Sequence, residues 1–326
     1  MKVAVLGAGA WGTSLAKLLC EGGHATTIWG HDPAHLEDMR RTRRNDRYLP
    51  GVDLPSVLTC ETNLEKAAAN SDFVVVAVPS KAFRDVARPL ADYGGTLVSV
   101  TKGIEFESGL TMCGVLRQEV PKAKYATLSG PTLAMEVARG IPTAIVAASD
   151  DNTVAEAVQA LFHRPTFRVY TSTDLLGVEL GGALKNVIAI AAGVCDGLGF
   201  GDNSKAALIT RAAAEIRRLG VACGAQAETF SGLSGLGDLT VTCFSKLSRN
   251  RGFGERLGRG EKLADVVATS VAVAEGYPTS RSAYRVARRL NVSTPITDEV
   301  YAMLYEGKHP KEGLRDLMAR ELKAED

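Results

Sequence analysis

The sequence lacks an excess of charge of either sign. Its 38 Lys and Arg residues nearly balance its 37 Asp and Glu residues, so the formal net charge is +1. A chain this close to neutral has no long-range field that would attract nucleic acid or an anionic membrane surface. The basic cluster at 40–47 is short and contains Asp46. We therefore expect no nucleic-acid partner.

Cysteine pairs at metal or redox spacing are also lacking. None of the six cysteines forms a C-x-x-C pair, which argues against zinc-ribbon and thioredoxin-like sites, and we expect no metal. Most of these cysteines lie in apolar stretches, as small core residues do. This usage predicts a reducing, cytoplasmic compartment.

Long apolar runs are missing as well. The apolar start at 3–6 is too short for a secretory signal, and the most apolar later stretch, 187–194, is too short to cross a bilayer. We therefore expect neither a targeting sequence nor a membrane span.

What the sequence does have is enough length and apolar content for a sizeable core. Its 326 residues, 45% of them apolar, suit two domains better than one. The first half alternates between β-rich runs and helical or turn segments, which predicts a Rossmann-like, mostly parallel sheet with helices on both faces. The β-rich runs are 3–6, 25–29, 73–78, 96–100, 126–129, 143–148 and 167–170.

From residue 177 onward the pattern becomes alanine-rich and helical. We therefore predict an α/β fold with a dinucleotide-binding domain at 1–180 and an all-α substrate and catalytic domain at 181–326. Late helices are predicted near 261–269, 279–290, 296–306 and 310–322.

A glycine-rich turn, GAGAWG at 7–12, lies between the first strand and the first helix. Gly7 permits a sharp turn, Gly9 lets a pyrophosphate approach the main chain, and Gly12 lets the helix pack closely. The free N–H groups of the first helical turn would then face the anion. Packing glycines in a tight turn are the less favoured interpretation, because the motif has the strand–turn–helix context of a dinucleotide site.

The second strand leaves the choice between NAD and NADP open. It is followed by His31 and Asp32. Asp32 could hold the ribose hydroxyls, as acids at this position usually do. His31 and the arginines within 40–47 could instead meet the 2′-phosphate of NADP, although a solvated helix face explains some of those arginines equally well.

Two lysines stand out as candidates for chemistry. Lys102 follows the strand at 96–100, at the sheet edge where α/β proteins bind ligands, although a solvated loop lysine is the alternative. Lys185 has small and apolar helical neighbours at 181, 182, 188 and 189. Burial there favours the neutral amine and suits the residue to proton transfer, unless the side chain extends to water.

Two later segments carry polar groups suited to a phosphorylated substrate. Asp238 follows a glycine-rich turn, and the segment 248–251 places hydroxyl, guanidinium and amide groups together. An arginine with neighbouring polar donors suits a phosphate. Either segment alone could be a helix cap or a surface patch.

Together these motifs resemble the NAD(P)-dependent glycerol-3-phosphate dehydrogenase family. The resemblance covers nearly the whole chain. Its motifs are GAGAWGT at 7–13, RYLPG at 47–51, AVPS at 77–80, TKGIE at 101–105, SGPTLAMEV at 129–137, ELGGALKN at 179–186, the segment 231–242, SRN at 248–250 and EG at 275–276.

The resemblance implies a role for each matched position. Lys185 matches the catalytic proton donor or acceptor, with Asp238 and Asn186 as its orienting partners. The implied substrate contacts are Lys102, Gly130, Thr132, Lys185, Asp238, Ser248, Arg249 and Asn250. The implied cofactor contacts are Gly7, Gly9, Trp11, Gly12, His31, Tyr48, Lys102, Ala134, Arg249, Val273 and Glu275.

The sequence departs from the family pattern at two positions. Leu133 stands where an aromatic residue is frequent, and His31 stands where arginine is common. Because histidine keeps some basic character, we expect both NAD and NADP to be accepted, with a mild preference for NADPH.

The resemblance implies reversible hydride transfer between NAD(P)H and dihydroxyacetone phosphate, making sn-glycerol 3-phosphate for phospholipid synthesis. A β-hydroxyacid or ketopantoate-type reductase is the neighbouring alternative, and a non-catalytic NAD(P) sensor is the alternative of another class. The SRN segment argues against the first, and Lys185 with Asp238 argues against the second. The glycine-rich and apolar second half is compatible with a homodimer.

Overall fold

A computed structural model describes residues 1–269, 273–321 and 324. The chain divides into two compact units. The first unit consists of Met1–Glu105 and Leu110–Glu179, and the second of Phe106–Gly109 and Leu180–Asp326. The short segment Phe106–Gly109 belongs to the second unit, and nothing in the sequence predicted this.

The first unit is built on an eight-stranded sheet with a separate two-stranded hairpin, β3–β4. The spatial order of the sheet is β10-β9-β8-β7-β6-β1-β2-β5. The strands are β1 (Lys2–Leu6), β2 (Ala25–Trp29), β3 (Arg44–Asn45), β4 (Leu49–Asp53), β5 (Thr59–Glu61), β6 (Phe73–Val76), β7 (Thr96–Ser99), β8 (Lys124–Ser129), β9 (Thr143–Ala148) and β10 (Phe167–Ser172).

All neighbouring strands of the large sheet are parallel except the antiparallel pair β8–β9. The predicted α/β class and the mostly parallel sheet are therefore confirmed. The central strands are covered on both faces, which is why they read as continuous apolar runs. The prediction missed β3, β4 and β5 because they are short, and β4 contains Pro50 and Gly51.

Helices flank the sheet and make up the second unit. The predicted late helices are present with somewhat different bounds, and the last residue of the 310–322 prediction, Leu322, lies outside the described residues. The helices are α1 (Ala10–Glu21), α2 (Pro33–Thr42), α3 (Leu64–Ala68), α4 (Phe83–Ala87), α5 (Met112–Glu119), α6 (Ala134–Ala138), α7 (Asn152–Phe162), α8 (Leu175–Gly197), α9 (Asp202–Ala222), α10 (Asp238–Phe244), α11 (Arg249–Gly258), α12 (Leu263–Ala268), α13 (Gly276–Arg289), α14 (Pro295–Tyr305) and α15 (Pro310–Met318).

Helix α8 is long and apolar enough to cross a membrane by length and composition, which the short run at 187–194 did not suggest. However, 94% of its most apolar window is buried inside the fold. Partner helices therefore explain its apolar character, as expected for the core helix of a helical unit.

Glycines bring the backbones of α8 and α11 into direct contact. A Cβ added at Gly193 would lie 1.9 Å from the Arg251 carbonyl oxygen, and one added at Gly254 would lie 2.0 Å from the Ile190 carbonyl oxygen. Since no larger side chain fits these positions, the helix that carries Lys185 is held at a fixed distance from the helix that begins at Arg249.

Candidate active site

The glycine-rich turn connects β1 to α1 by close backbone contacts. Gly7 has φ +124°, and a Cβ there would lie 2.5 Å from the Ala77 carbonyl oxygen. A Cβ on Gly12 would lie 1.9 Å from the Gly7 carbonyl oxygen. These two glycines are needed by the fold itself, because any side chain would push the turn away from the sheet.

Gly9 differs from the other two glycines because the space beside it is open. A Cβ at Gly9 would meet no atom within 4 Å. Gly9 is also the N-cap of α1. Because it has no side chain, it cannot cap the free N–H groups of the first turn. An open surface with unsatisfied N–H groups at a helix N-terminus fits the pyrophosphate of a dinucleotide.

This difference predicts opposite outcomes for two equal substitutions. Gly12→Ala should lower the free energy of unfolding by ~1–3 kcal/mol, because the methyl group overlaps backbone. Gly9→Ala should leave the unfolding temperature unchanged but raise the dissociation constant of NAD(P)H by ~10-fold, a loss of ~1.4 kcal/mol. Thermal unfolding and cofactor titration of both variants check this, and equal loss of stability would contradict it.

At the end of β2 the Asp32 carboxylate already has partners within the first unit. Asp32 is the N-cap of α2 and accepts a hydrogen bond from the His35 N–H at 3.1 Å. Its other oxygen lies 3.3 Å from Arg47 Nη1. The His35 N–H, with the Arg47 charge in addition, holds the pKa of Asp32 below its usual range. An acid occupied in this way is less available to hold ribose hydroxyls.

Tyr48 and His31 complete this corner of the first unit. The Tyr48 ring has the His35 ring against it edge-on at 5.4 Å and the Arg47 guanidinium at 5.1 Å. His31 is exposed one residue before the α2 cap. Basic and aromatic groups thus surround the end of β2, a setting compatible with a 2′-phosphate.

Three of the expected substrate contacts meet at the carboxyl ends of β7 and β8. Lys102 Nζ donates to the Gly130 carbonyl oxygen at 3.1 Å, and the Thr132 hydroxyl donates to the same oxygen at 3.1 Å. Lys102 is half-buried there. The lysine is therefore held at the sheet edge that binds ligands in this fold class.

Trp11 and Ala134 also lie in the first unit. Trp11, in α1, is partly buried against the sheet core. Ala134 begins α6 and packs against Leu49 and Val52 of the hairpin.

In the second unit Lys185 is buried and paired. Its side chain is 7% exposed, and Nζ lies 3.0 Å from Asp238 Oδ1, whose side chain is 1% exposed. Lys185 Nζ also donates to Thr242 Oγ1 at 2.7 Å. The alternative of a lysine that extends to water is wrong.

Thr242 is the residue that the sequence reasoning missed. Its hydroxyl donates to the Asp238 carbonyl oxygen at 2.6 Å and lies 3.2 Å from Asp238 Oδ1. Thr242 follows Asp238 by four residues on α10, so both face the same side of the helix. The four-residue spacing between Asp238 and Thr242 is the sequence signal by which Thr242 could have been found.

The neighbouring thiol does not compete with the lysine. Burial raises the pKa of Cys243 to about 12, against the opposing charge of Lys185. Cys243 therefore stays neutral at physiological pH and acts as a small core residue.

Asn186 and Asn250 form a second polar connection. Asn250 Nδ2 donates to Asn186 Oδ1 at 2.8 Å, and the Gly276 N–H donates to Asn250 Oδ1 at 2.8 Å. Asn186 is the residue expected as an orienting partner of Lys185, and its side-chain oxygen accepts the hydrogen bond from Asn250. The pair links α8, α11 and the start of α13.

Arg249 occupies the first position of α11. Ser248 caps this helix by accepting from the Arg251 N–H at 3.2 Å. Desolvation lowers the pKa of Arg249, and the charge of Glu275, the N-cap of α13, opposes that shift. Val273, nearby in sequence, is exposed. A guanidinium at a helix N-terminus gives two favourable features for a phosphate.

Comparisons with known proteins show the family of this chain. Family models described as NAD-dependent glycerol-3-phosphate dehydrogenase N-terminus and C-terminus match residues 2–155 and 174–315. The glycerol-3-phosphate dehydrogenase (NAD(P)+) of Geobacter sulfurreducens is 51% identical over 331 residues, covering 99% of this chain and 98% of that protein.

Solved structures give the same result. The glycerol-3-phosphate dehydrogenase of Coxiella burnetii matches with a TM-score of 0.94 and 35% identity, covering 98% of this chain and 99% of that one. A PanE/ApbA family ketopantoate reductase from Ralstonia eutropha matches with a TM-score of 0.61 and 16% identity, over 96% of this chain and 100% of that one, which shows a shared fold alone.

Proposed function

Because the chain belongs to the NAD-dependent glycerol-3-phosphate dehydrogenase family, we propose that Lys185, held by Asp238 and Thr242, supplies the proton of the family's reaction. The observation that carries this proposal is the buried contact of Lys185 Nζ with Asp238 Oδ1 at 3.0 Å. A buried ammonium with a carboxylate and a hydroxyl partner is suited to hold and release a proton at one fixed place.

The chain is an NAD(P)-dependent oxidoreductase that transfers a hydride between the nicotinamide and dihydroxyacetone phosphate or glycerol 3-phosphate. It therefore acts in lipid metabolism. The ketopantoate-type and sensor alternatives are not favoured. We propose that it runs mainly toward glycerol 3-phosphate for phospholipid synthesis.

When bound, the nicotinamide supplies the hydride that adds to the ketone carbon. The substrate oxygen then holds the electron pair of the former C=O π bond and takes a proton from Lys185 Nζ. General acid catalysis of this kind contributes roughly 10²–10⁴-fold, and a preorganised donor at an oxyanion about 3–4 kcal/mol. In the oxidation of glycerol 3-phosphate, Lys185 accepts the proton instead.

Asp238 and Thr242 set the charge and position of Lys185. The carboxylate favours the ammonium form until transfer, and the Thr242 hydroxyl accepts from Nζ while it donates to the Asp238 carbonyl oxygen. Since Asp238 and Thr242 lie one turn apart on α10, they move together and hold the Lys185 side chain in one rotamer.

Arg249 is the group that we assign to the substrate phosphate. It combines a guanidinium fork with the N–H groups of the α11 N-terminus, whose cap is Ser248. Lys102, with Gly130 and Thr132, is assigned to substrate and cofactor at the sheet edge. These assignments require a phosphorylated substrate, which is the feature that distinguishes this reaction from reduction of a simple keto acid.

For the cofactor we propose acceptance of both forms with a mild preference for NADPH. The engagement of Asp32 by His35 and Arg47 supports this, because a neutralised acid repels a 2′-phosphate less. His31→Asp should therefore raise the Michaelis constant for NADPH far more than that for NADH. Steady-state kinetics with both cofactors measure this, and an unchanged NADPH/NADH ratio would remove His31 from the recognition site.

We also propose a cytoplasmic homodimer. All six cysteines are free, as in reducing compartments. Exposed apolar side chains of the second unit, among them Phe244 and Leu247, offer surface for a second copy. Light scattering of the purified protein measures the subunit number, and a monomer at micromolar concentration would contradict the proposal.

A substrate panel tests the proposed chemistry. Oxidation of NAD(P)H is followed with dihydroxyacetone phosphate, unphosphorylated dihydroxyacetone and ketopantoate. We expect rapid turnover with the first, slow turnover with the second and none with the third. Equal turnover of ketopantoate would show that the phosphate contacts do not select the substrate.

A further inference from the structure

The buried amide of Asn45 lies against the glycine-rich turn, outside the residues assigned to the cofactor so far. Asn45 belongs to β3 and is 1% exposed. Its Nδ2 donates to the Ala8 carbonyl oxygen at 3.0 Å and to Thr13 Oγ1 at 2.7 Å. Both acceptors lie in the turn and first helix that form the pyrophosphate surface.

The third polar contact of Asn45 fixes the hairpin itself. Asn45 Oδ1 accepts from the Tyr48 N–H at 3.3 Å. The next residue, Leu49, is buried with Val52 and Ala138 of α6. The Asn45 amide is therefore held in place by the hairpin, and from this position its Nδ2 donates to the glycine-rich turn.

The bond to Ala8 determines where the Gly9 N–H points. In a trans peptide the carbonyl and the following N–H point in opposite directions. Because Asn45 holds the Ala8 oxygen on the buried side, the Gly9 N–H faces the other way. Within the described ranges no group accepts a hydrogen bond from it, and a Cβ on Gly9 would meet no atom within 4 Å.

We propose that Asn45 is a positioning residue for the dinucleotide, which aims the Gly9 N–H at the pyrophosphate through the Ala8–Gly9 peptide. Without the hydrogen bond from Asn45, the Ala8–Gly9 peptide would be free to rotate, and the Gly9 N–H would no longer be held toward the pyrophosphate. The inference depends on cofactor binding and not on the proton transfer assigned to Lys185, so binding constants test it separately from turnover.

Two substitutions at Asn45 provide the test. Asn45→Ala removes all three contacts, and Asn45→Asp keeps the acceptor for Tyr48 but loses the donor to Ala8. Asn63→Ala is the matched control, because Asn63 caps α3 by accepting from the Lys66 N–H at 2.8 Å and lies outside the turn. The probes are NADPH, ADP and adenosine, the last of which has no pyrophosphate.

We expect both Asn45 variants to raise the dissociation constants of NADPH and ADP by ~10-fold, the effect of losing one or two hydrogen bonds. Adenosine binding and kcat at saturating NADPH should not change, and Asn63→Ala should bind all probes as the wild type does. Unchanged NADPH binding in folded variants would overturn the proposal. So would an equal loss for adenosine, or the failure of both variants to fold, since either result indicates a purely structural role.

Discussion

Lys185→Ala is expected to lower kcat by at least ~10²-fold, because it removes both the general acid and the charge at the substrate oxygen. The dissociation constant of NADPH should stay near the wild-type value, since Lys185 is assigned to the substrate oxygen and not to the cofactor. Stopped-flow or steady-state turnover at saturating substrate, with cofactor titration alongside, measures both quantities.

Two further variants separate chemistry from burial. Lys185→Met keeps most of the side-chain volume and should lose as much activity as Lys185→Ala. Lys205→Ala removes another buried lysine of the same unit, which pairs with Asp196 at 2.5 Å. It should lower stability but keep kcat. Near-normal turnover of Lys185→Ala would show that the lysine only packs.

Arg249→Ala is expected to raise the Michaelis constant for dihydroxyacetone phosphate by roughly 10–150-fold. This range corresponds to ~1.5–3 kcal/mol for a lost charge-assisted hydrogen bond. Slow turnover of unphosphorylated dihydroxyacetone should hardly change, because that substrate has no phosphate for the guanidinium to bind.

The control for this variant lies on the same helix. Arg259, at the C-terminal end of α11, is exposed and pairs with Glu255. Arg259→Ala should leave both Michaelis constants unchanged. Equal losses on the two substrates in Arg249→Ala would place Arg249 away from the phosphate.

The fold was predictable from sequence wherever burial leaves a clear apolar pattern. Strands such as β1 and β6 are covered on both faces, so they appear as short apolar runs between turns. The hairpin β3–β4 was not predictable, because two residues and a Pro-Gly pair carry no period. Its contact with the glycine-rich turn joins residues far apart in the sequence, since Asn45 and its partner Ala8 are 37 residues apart.

The candidate site was predictable in residue types more than in contacts. The apolar helical face around position 185 indicates a buried lysine that needs a charged partner, and the structure supplies Asp238. The sequence left the choice between NAD and NADP open at Asp32, because it does not show which groups the carboxylate contacts. In the structure that carboxylate accepts from the His35 N–H at 3.1 Å.

The central claim, that Asp238 acts through Lys185, is tested most directly by the kcat of the double variant Lys185→Ala/Asp238→Asn. If the carboxylate only holds the ammonium in place, its removal costs nothing further once the lysine is gone, as residues that act as a unit are non-additive. We predict that Asp238→Asn alone lowers kcat and that the double variant equals Lys185→Ala. Losses that multiply would contradict the account, because they would give Asp238 a separate role at the substrate.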